Sequence, residues 1–387
     1  MSERGERQSG PAAPRSTPAW RRALQALPDW TGPLVALAVL VVIATASNRN
    51  FVSPTNLINI LHNVSIIGMV AVGMTFVIIL GGIDLSVGSL AACAGAAGMW
   101  AMETCIHASR FLAADAEAAQ LGLAAPHSQI RIVLANAFTY VGLAGSEPGG
   151  VAAAFAVILL GATLAGFLNG LIIAKGRVAP FIATLGGLAA YRSLALTLAE
   201  GAELRSASGE LFAEIGGRGW ELPFLLDRYG KPVTLYWSIL IFVAVVLAAH
   251  VLLKRTRYGR YVYAIGCNER AAYYSAIRVD RVKILTYTLI GLLTGVAALL
   301  NASRMNAVST AQSGTMWELD AIAAVVIGGT RMVGGVGGIA GTVVGLLILD
   351  VIGRMLNTLQ ISGYLHGFVK GLIIIGAVLV QRARRER

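Results

Sequence analysis

The sequence predicts an all-α integral membrane protein of about ten transmembrane helices, some short or broken, with both termini in the cytoplasm. Three observations predict it. Apolar residues make up 56% of the chain, charged residues only 13%, and the mean hydropathy is +0.70, whereas soluble domains run near ~25% charged. Apolar runs of about spanning length recur from end to end. The basic residues then fall on alternate sides of those runs, which is how membrane orientation is encoded. Glycine, at 45 of 387 residues, exceeds the usual ~7% and suits helices that pack closely in a bilayer.

In chain order, residues 1–29 are polar and rich in Arg, Pro and Ser, the composition of a disordered cytoplasmic tail. The polytopic domain runs over 30–381. Its first apolar run, 34–46, ends in Ala44-Thr45-Ala46, a small-residue pattern like a signal cleavage site. The long leader and the further apolar segments favour an uncleaved first helix. Spanning or nearly spanning stretches are 31–47, 64–81, 85–101, 151–174, 180–199, 236–252, 284–302, 335–353 and 365–380, with a shorter one at 316–330. Two long outer loops are expected at 102–150 and 200–235. In the first, 130–143 is moderately apolar and expected along the interface; the second, with Trp220 and Pro223, reads as a structured hairpin or helix. A large inner loop covers 253–283, and 382–387 is a basic cytoplasmic tail.

The charges fix the threading. With the N-terminus inside, 20 Lys and Arg fall in inner segments and nine in outer ones, leaving only Arg192 and Lys370 within apolar runs. That asymmetry is the positive-inside pattern. It also explains the net charge of +11 without nucleic acid, which is not an expected partner. Membrane lipid is. Cys93, Cys105 and Cys267 fall on different segments, and the five histidines form no ligand motif. Neither a disulfide nor a metal site is expected.

No G-x-x-x-x-G-K-[ST] loop occurs, and the single Gly-Lys pair, Gly230-Lys231, is followed by proline. The chain therefore lacks the usual phosphate cradle, and no nucleophile elbow or paired carboxylates indicate an enzyme. Gly335 and Gly337 do not make a dinucleotide loop, because no strand precedes them. Gly337, Gly341 and Gly345, like Gly166 and Gly170, read as close-packing faces.

In the inner loop, Asn268 is placed to cap a short helix starting at Glu269. Ala271, Ala272, Ser275 and Ala276 then give a small-residue face flanked by Tyr273 and Tyr274. Such a helix suits a groove on a cytosolic partner; the alternative is an amphipathic connector lying on the membrane.

Four stretches taken in order carry a resemblance. They are MTFVIILGGIDLSVGSL at 74–90, NGLIIAKGRVAPFIATL at 169–185, RYGRYVYAIGCNERAAYYSAI at 257–277 and ELDAIAAVVIGGT at 318–330. The chain resembles, over about 50–381, the permease subunit of bacterial ribose-type ATP-binding-cassette (ABC) importers. That family handles ribose, xylose, arabinose and galactose, and relatives carry nucleosides or a furanone-type signal. The resemblance implies that Asn268, Glu269, Arg270, Ala271, Ala272, Tyr273 and Ser275 couple to a separate ATPase subunit, which binds ATP and Mg. It further implies a periplasmic sugar-binding protein, a second permease chain, and no cofactor in this chain. Cys267 and Ala276 depart from the family's usual glycine, and 102–150 is longer than expected.

Polar residues at membrane depth are functional candidates. The substrate-pathway set is Asp84, Ser86, Asn169, Phe181, Thr184 and Arg192. Several have structural readings too: Asp84 as a helix cap, Asn169 as interhelical glue, Glu318 with Thr315 as a capping box. Asp350 and Arg354 are expected to pair, and Lys370 to snorkel outward near His366. Gly81, Gly82, Gly328 and Gly329 end apolar runs on the inner side and are hinge candidates. An ion-coupled secondary transporter is the competing class and calls for a midplane carboxylate or histidine relay. Here most acids lie at segment ends. A membrane scaffold would not need the small-residue inner helix.

Overall fold

The computed structural model describes residues 31–121, 128–227, 230–363, 365, 367–372, 375 and 376. The tails at 1–29 and 382–387, His366 and part of the segment 365–380 lie outside the described residues. The chain is mainly helical. Six helices are long and apolar enough to cross a bilayer by length and composition: Pro54–Ile79 (α2), Glu147–Ala174 (α6), Pro180–Leu198 (α7), Trp237–Arg255 (α9), Val279–Met305 (α12) and Ile339–Thr358 (α14). Thr31–Ser47 (α1) is a shorter apolar helix, and Val87–Ile106 (α3) is a 20-residue helix that is mostly buried. Trp317–Ile327 (α13) has 11 residues. At ~1.5 Å per residue it reaches about half of a ~30 Å hydrocarbon core, so the segment 316–330 does not cross as a helix by itself.

The two long loops are built, not slack. Residues 102–150 hold Ala108–Gln120 (α4) and Gln129–Val141 (α5). Arg131 clamps this region: it pairs with Glu103 at 2.9 Å and lies over the rings of Phe111 and Trp100. Residues 200–235 hold both expected elements, a helix Leu211–Gly217 (α8) and a hairpin of Gly219–Leu226 (β2) with Pro232–Tyr236 (β3). Glu203–Arg205 (β1) pairs antiparallel with Ala307–Ser309 (β4), and the His62 and Tyr236 rings stack at 3.9 Å, fixing the hairpin to α2. The inner loop 253–283 contains Arg257–Cys267 (α10) and Glu269–Tyr274 (α11).

In a bilayer, lipid tails are as apolar as leucine, so helices associate by close packing rather than by hydrophobic exclusion. Glycine supplies that packing where the sequence placed it. A side chain on Gly166 of α6 would strike the Tyr287 carbonyl of α12 and come within 2.8 Å of the Gly291 Cα. Of Gly337, Gly341 and Gly345, the last two, on α14, work likewise against the Gly328 and Ala324 carbonyls of α13, whereas Gly337 lies before the helix at φ 151 and packs on the Thr330 side chain. The core centres on α2 and α12, where Phe76, Met69, Met74, Ile290 and Tyr287 are fully buried.

Candidate coupling and transport site

The break between α2 and α3 is built around a buried carboxylate. Asp84, 2% exposed, accepts from the Ser86 amide at 2.8 Å and from its hydroxyl at 2.7 Å. Asp84 therefore closes a turn instead of capping α3; Ser86 holds the cap position without a side-chain cap bond. Asn169 of α6 donates to Ser86 Oγ at 3.0 Å, and Tyr191 of α7 donates to Asn169 Oδ1 at 3.1 Å. Every donor in this file points towards Asp84, so the bonds polarise one another in one sense. Thr184 closes the other flank, donating to Pro180 O at 2.9 Å and lying 3.4 Å from Ile83 O. Four of the six pathway candidates thus meet in one cluster. Asn169 serves there as glue between helices, and Tyr191 joins it although the sequence reading passed it over.

The other two candidates lie apart. Phe181 is 53% exposed on the surface of α7. Arg192 donates to the carbonyls of Thr310 at 2.7 Å and Ser313 at 3.0 Å, so it satisfies a loop's backbone. Two further expectations are corrected. Thr315 and Glu318 form no capping box, because Met316 at φ 67 is the cap residue of α13 and Thr315 bonds back to Ala311 O. Lys370 does not snorkel; its ammonium reaches Asp320 of α13 at 2.8 Å. A carboxylate of opposite charge within the protein offers more than a stretched path to water. Asp350 and Arg354 pair as expected, at 2.9 Å.

The four hinge candidates resolve into two copies of one motif. After α2, Gly81 N donates to Ile78 O and Gly82 N to Val77 O, with Gly81 at φ 91. After α13, Gly329 N donates to Val326 O and Thr330 N to Val325 O, with Gly329 at φ 93. Both are Schellman ends, in which a left-handed residue lets two amides close off the last carbonyls. The neighbouring glycines do a different job. Gly82 lies under the Tyr287 hydroxyl, and Gly328 under the Gly341 carbonyl.

Residues 331–338 bring both breaks to the inner loop. Gly335 N donates to Ile79 O of α2 at 2.8 Å, and Tyr263 of α10 donates to Gly337 O at 2.7 Å. Gly266, near the end of α10, rests on Ile79 O and the Gly335 amide so closely that no Cβ fits. Beyond it, Asn268 accepts from Ala271 N at 3.0 Å and caps α11 as the sequence indicated. Glu269 pairs with Lys283 of α12 at 2.7 Å. The small-residue face is split, however. Successive helical residues are ~100° apart, so Ala272 turns inward at 4% exposed while Ala271, Ser275 and Ala276 stay outside with Tyr273 and Tyr274. Ala276 has φ 60, a left-handed backbone conformation that glycine adopts without the Cβ penalty. An open groove of about 770 Å³ runs beside α11, lined by Arg177, Pro180, Arg270, Tyr273 and Asp280 among others.

Comparison with known proteins agrees with this architecture. The family described as branched-chain amino acid transport system / permease component matches residues 56–378. The ribose import permease protein RbsC of Bacillus subtilis (strain 168) is 37% identical over 355 residues, covering 91% of this chain and 92% of the relative. RbsC of Escherichia coli (strain K12) is 36% identical over 355 residues, with 91% and 93% covered. The L-arabinose transport system permease protein AraH of Escherichia coli (strain K12) is 31% identical over 378 residues, with 98% and 97% covered. No solved structure matches the chain. With the family spanning most of the helical core, and relatives aligned almost end to end, this chain belongs to the permease component family and is a multi-pass membrane permease.

Proposed function

We propose that the chain is the transmembrane pathway of an ABC importer that carries a monosaccharide, ribose or a similar sugar, from the periplasm to the cytoplasm. ATP hydrolysis belongs to a separate subunit, which binds ATP and Mg and docks on Asn268, Glu269, Arg270, Ala271, Tyr273 and Ser275. Ten threaded segments with both termini inside follow from the charge asymmetry, the half-length α13 crossing only together with the residues that flank it. That threading puts 253–283 in the cytoplasm and the built loops 102–150 and 200–235 outside, where a sugar-binding protein docks. The ribose and arabinose permeases among the relatives support the solute class. A second permease chain packs against α7, whose exposed Gly186, Ala189, Ala190 and Ser193 permit close helix approach.

The observation that carries this reading is the backbone contact of Gly266 with Ile79 and Gly335. A push on α11 reaches both helix breaks with no flexible side chain in between. The breaks then act as hinges, and the Asp84–Ser86–Asn169–Tyr191 file, with Thr184 and Arg192, holds the pathway helices in one of two alternating-access states. The test is co-purification of the ATPase subunit with the chain and with a variant in which residues 269–273 are replaced by a Gly-Ser linker. Loss of the ATPase from the variant is expected. Sugar uptake driven by an ion gradient in vesicles holding this chain alone would sink the proposal in favour of a secondary transporter.

A further inference from the structure

A second polar site lies away from the Asp84 cluster. Asn63 of α2, Asp320 of α13, Asp350, Gly353, Arg354 and Asn357 of α14, and Lys370 line a cavity of about 190 Å³. That is the volume of about six liquid waters at ~30 Å³ each, room for one small solute. The four ionised side chains that line it are balanced, two acids against two bases, with Arg304 standing behind Asn63. Lys370 Nζ sits 2.8 Å from both Asp320 oxygens, and Arg354 Nε is 2.9 Å from Asp350. Arg354 also donates to Asn56 Oδ1 at 3.1 Å, and Arg304 donates to Asn63 Oδ1 at 2.8 Å.

We infer that this cavity is a binding station for a neutral polyhydroxylated solute on its way through the permease; the inference rests on the sugar-import reading above. Ionised side chains among transmembrane helices are costly and mark solute paths when they face a cavity. Two opposed pairs converging on one small space cancel each other's charge, so neither an anion nor a cation is favoured. What they leave is a wall of alternating acceptors and donors. A hydroxyl both donates and accepts, and vicinal hydroxyls match a carboxylate beside a guanidinium or an amide.

Gly353 gives a clean test, because a Cβ added there meets nothing within 4 Å. The assembled importer is reconstituted in vesicles, and uptake of labelled ribose and arabinose is measured for wild type, Gly353→Ala and Gly353→Leu. At least tenfold lower uptake with leucine and a smaller loss with alanine are expected. Wild-type uptake by Gly353→Leu overturns the site. Should the leucine variant fail to fold, Gly353→Cys, in a chain with Cys93, Cys105 and Cys267 replaced by alanine, decides. Its labelling by a small water-soluble thiosulfonate is expected to slow at least threefold in the transported pentose. Undiminished labelling while wild type imports that pentose overturns the site and leaves the sugar reading standing. Import of neither pentose by wild type removes the sugar reading, and the site, defined by a sugar, falls with it.

Discussion

Gly82 and Tyr287 offer a test of the claim that the two glycines of the first break have separate roles. A methyl added at Gly82 would lie 2.6 Å from the Tyr287 hydroxyl oxygen, while at Gly81 it would meet only Val333 O at 4.0 Å. Overpacking of that kind costs about 1–3 kcal/mol, so Gly82→Ala is expected to destabilise by that amount. The Tyr287 hydroxyl is buried without a hydrogen-bond partner among the described residues, and such a group carries a desolvation penalty of ~1–3 kcal/mol. Tyr287→Phe is therefore expected to be neutral or stabilising, and to recover most of the loss in Gly82→Ala. The double-mutant cycle should give a coupling of about 1–3 kcal/mol. Gly81→Ala, whose cost comes from φ 91 and not from contact, should show no rescue. The assay is unfolding of the purified permease in mild detergent, followed by tryptophan fluorescence. Equal damage from Gly82→Ala in the wild-type and Tyr287→Phe backgrounds would refute the reasoning.

Gly266→Val should separate the inner loop from both breaks, since its side chain must displace Ile79 O or the Gly335 amide. Breaking that buried bond and repacking the contact costs about 2–5 kcal/mol. Sugar uptake by the reconstituted importer should fall more than tenfold while the ATPase subunit stays bound. Ala276→Gly should relieve the left-handed strain at φ 60 and stabilise the chain by about 1 kcal/mol, seen as a raised melting temperature. Asn268→Ala removes the cap of a six-residue helix, worth ~1 kcal/mol; co-purified ATPase should drop without loss of chain level. Gly166→Leu would force α6 off α12 at Gly291, and the variant should fail to accumulate in membranes.

Helix identity was legible because membrane helices need long apolar runs, and each run holds helical residues in the structure. What the sequence hid was length and role. The apolar run 316–330 reads like the others, yet the left-handed Met316 and the Gly329 end leave only 11 helical residues between them. The Asp84 cluster was legible as a set of polar residues at membrane depth, but its order was not. Tyr191 belongs to it through a side chain reaching from α7 to α6, a relation no local spacing encodes. Lys370 and Asp320, 50 positions apart, were likewise treated as separate residues. Phe181 was drawn in by its motif and stands outside the cluster, 53% exposed near the start of α7 and with no polar side-chain atom to join the file.

The doubled Schellman end constrains how a movement of the inner loop would travel in this permease. Residues 331–336 fold back on themselves, with Arg331 N bonded to Val336 O at 3.0 Å and Gly334 N to Arg331 O at 3.0 Å. This compact turn is wedged between the end of α2 and the end of α10, touching both through glycines. Side chains at such a contact would change rotamer and absorb a small displacement. Backbone set on backbone leaves no such slack, so α10 cannot shift relative to α2 without breaking the Gly335–Ile79 bond or carrying the α2 end with it. Packed interfaces of this kind are bistable, not continuously deformable. On the coupling reading proposed above, a movement imposed at Asn268–Tyr273 would reach Gly81 through the Gly335–Ile79 bond and Gly329 through the chain of the same turn.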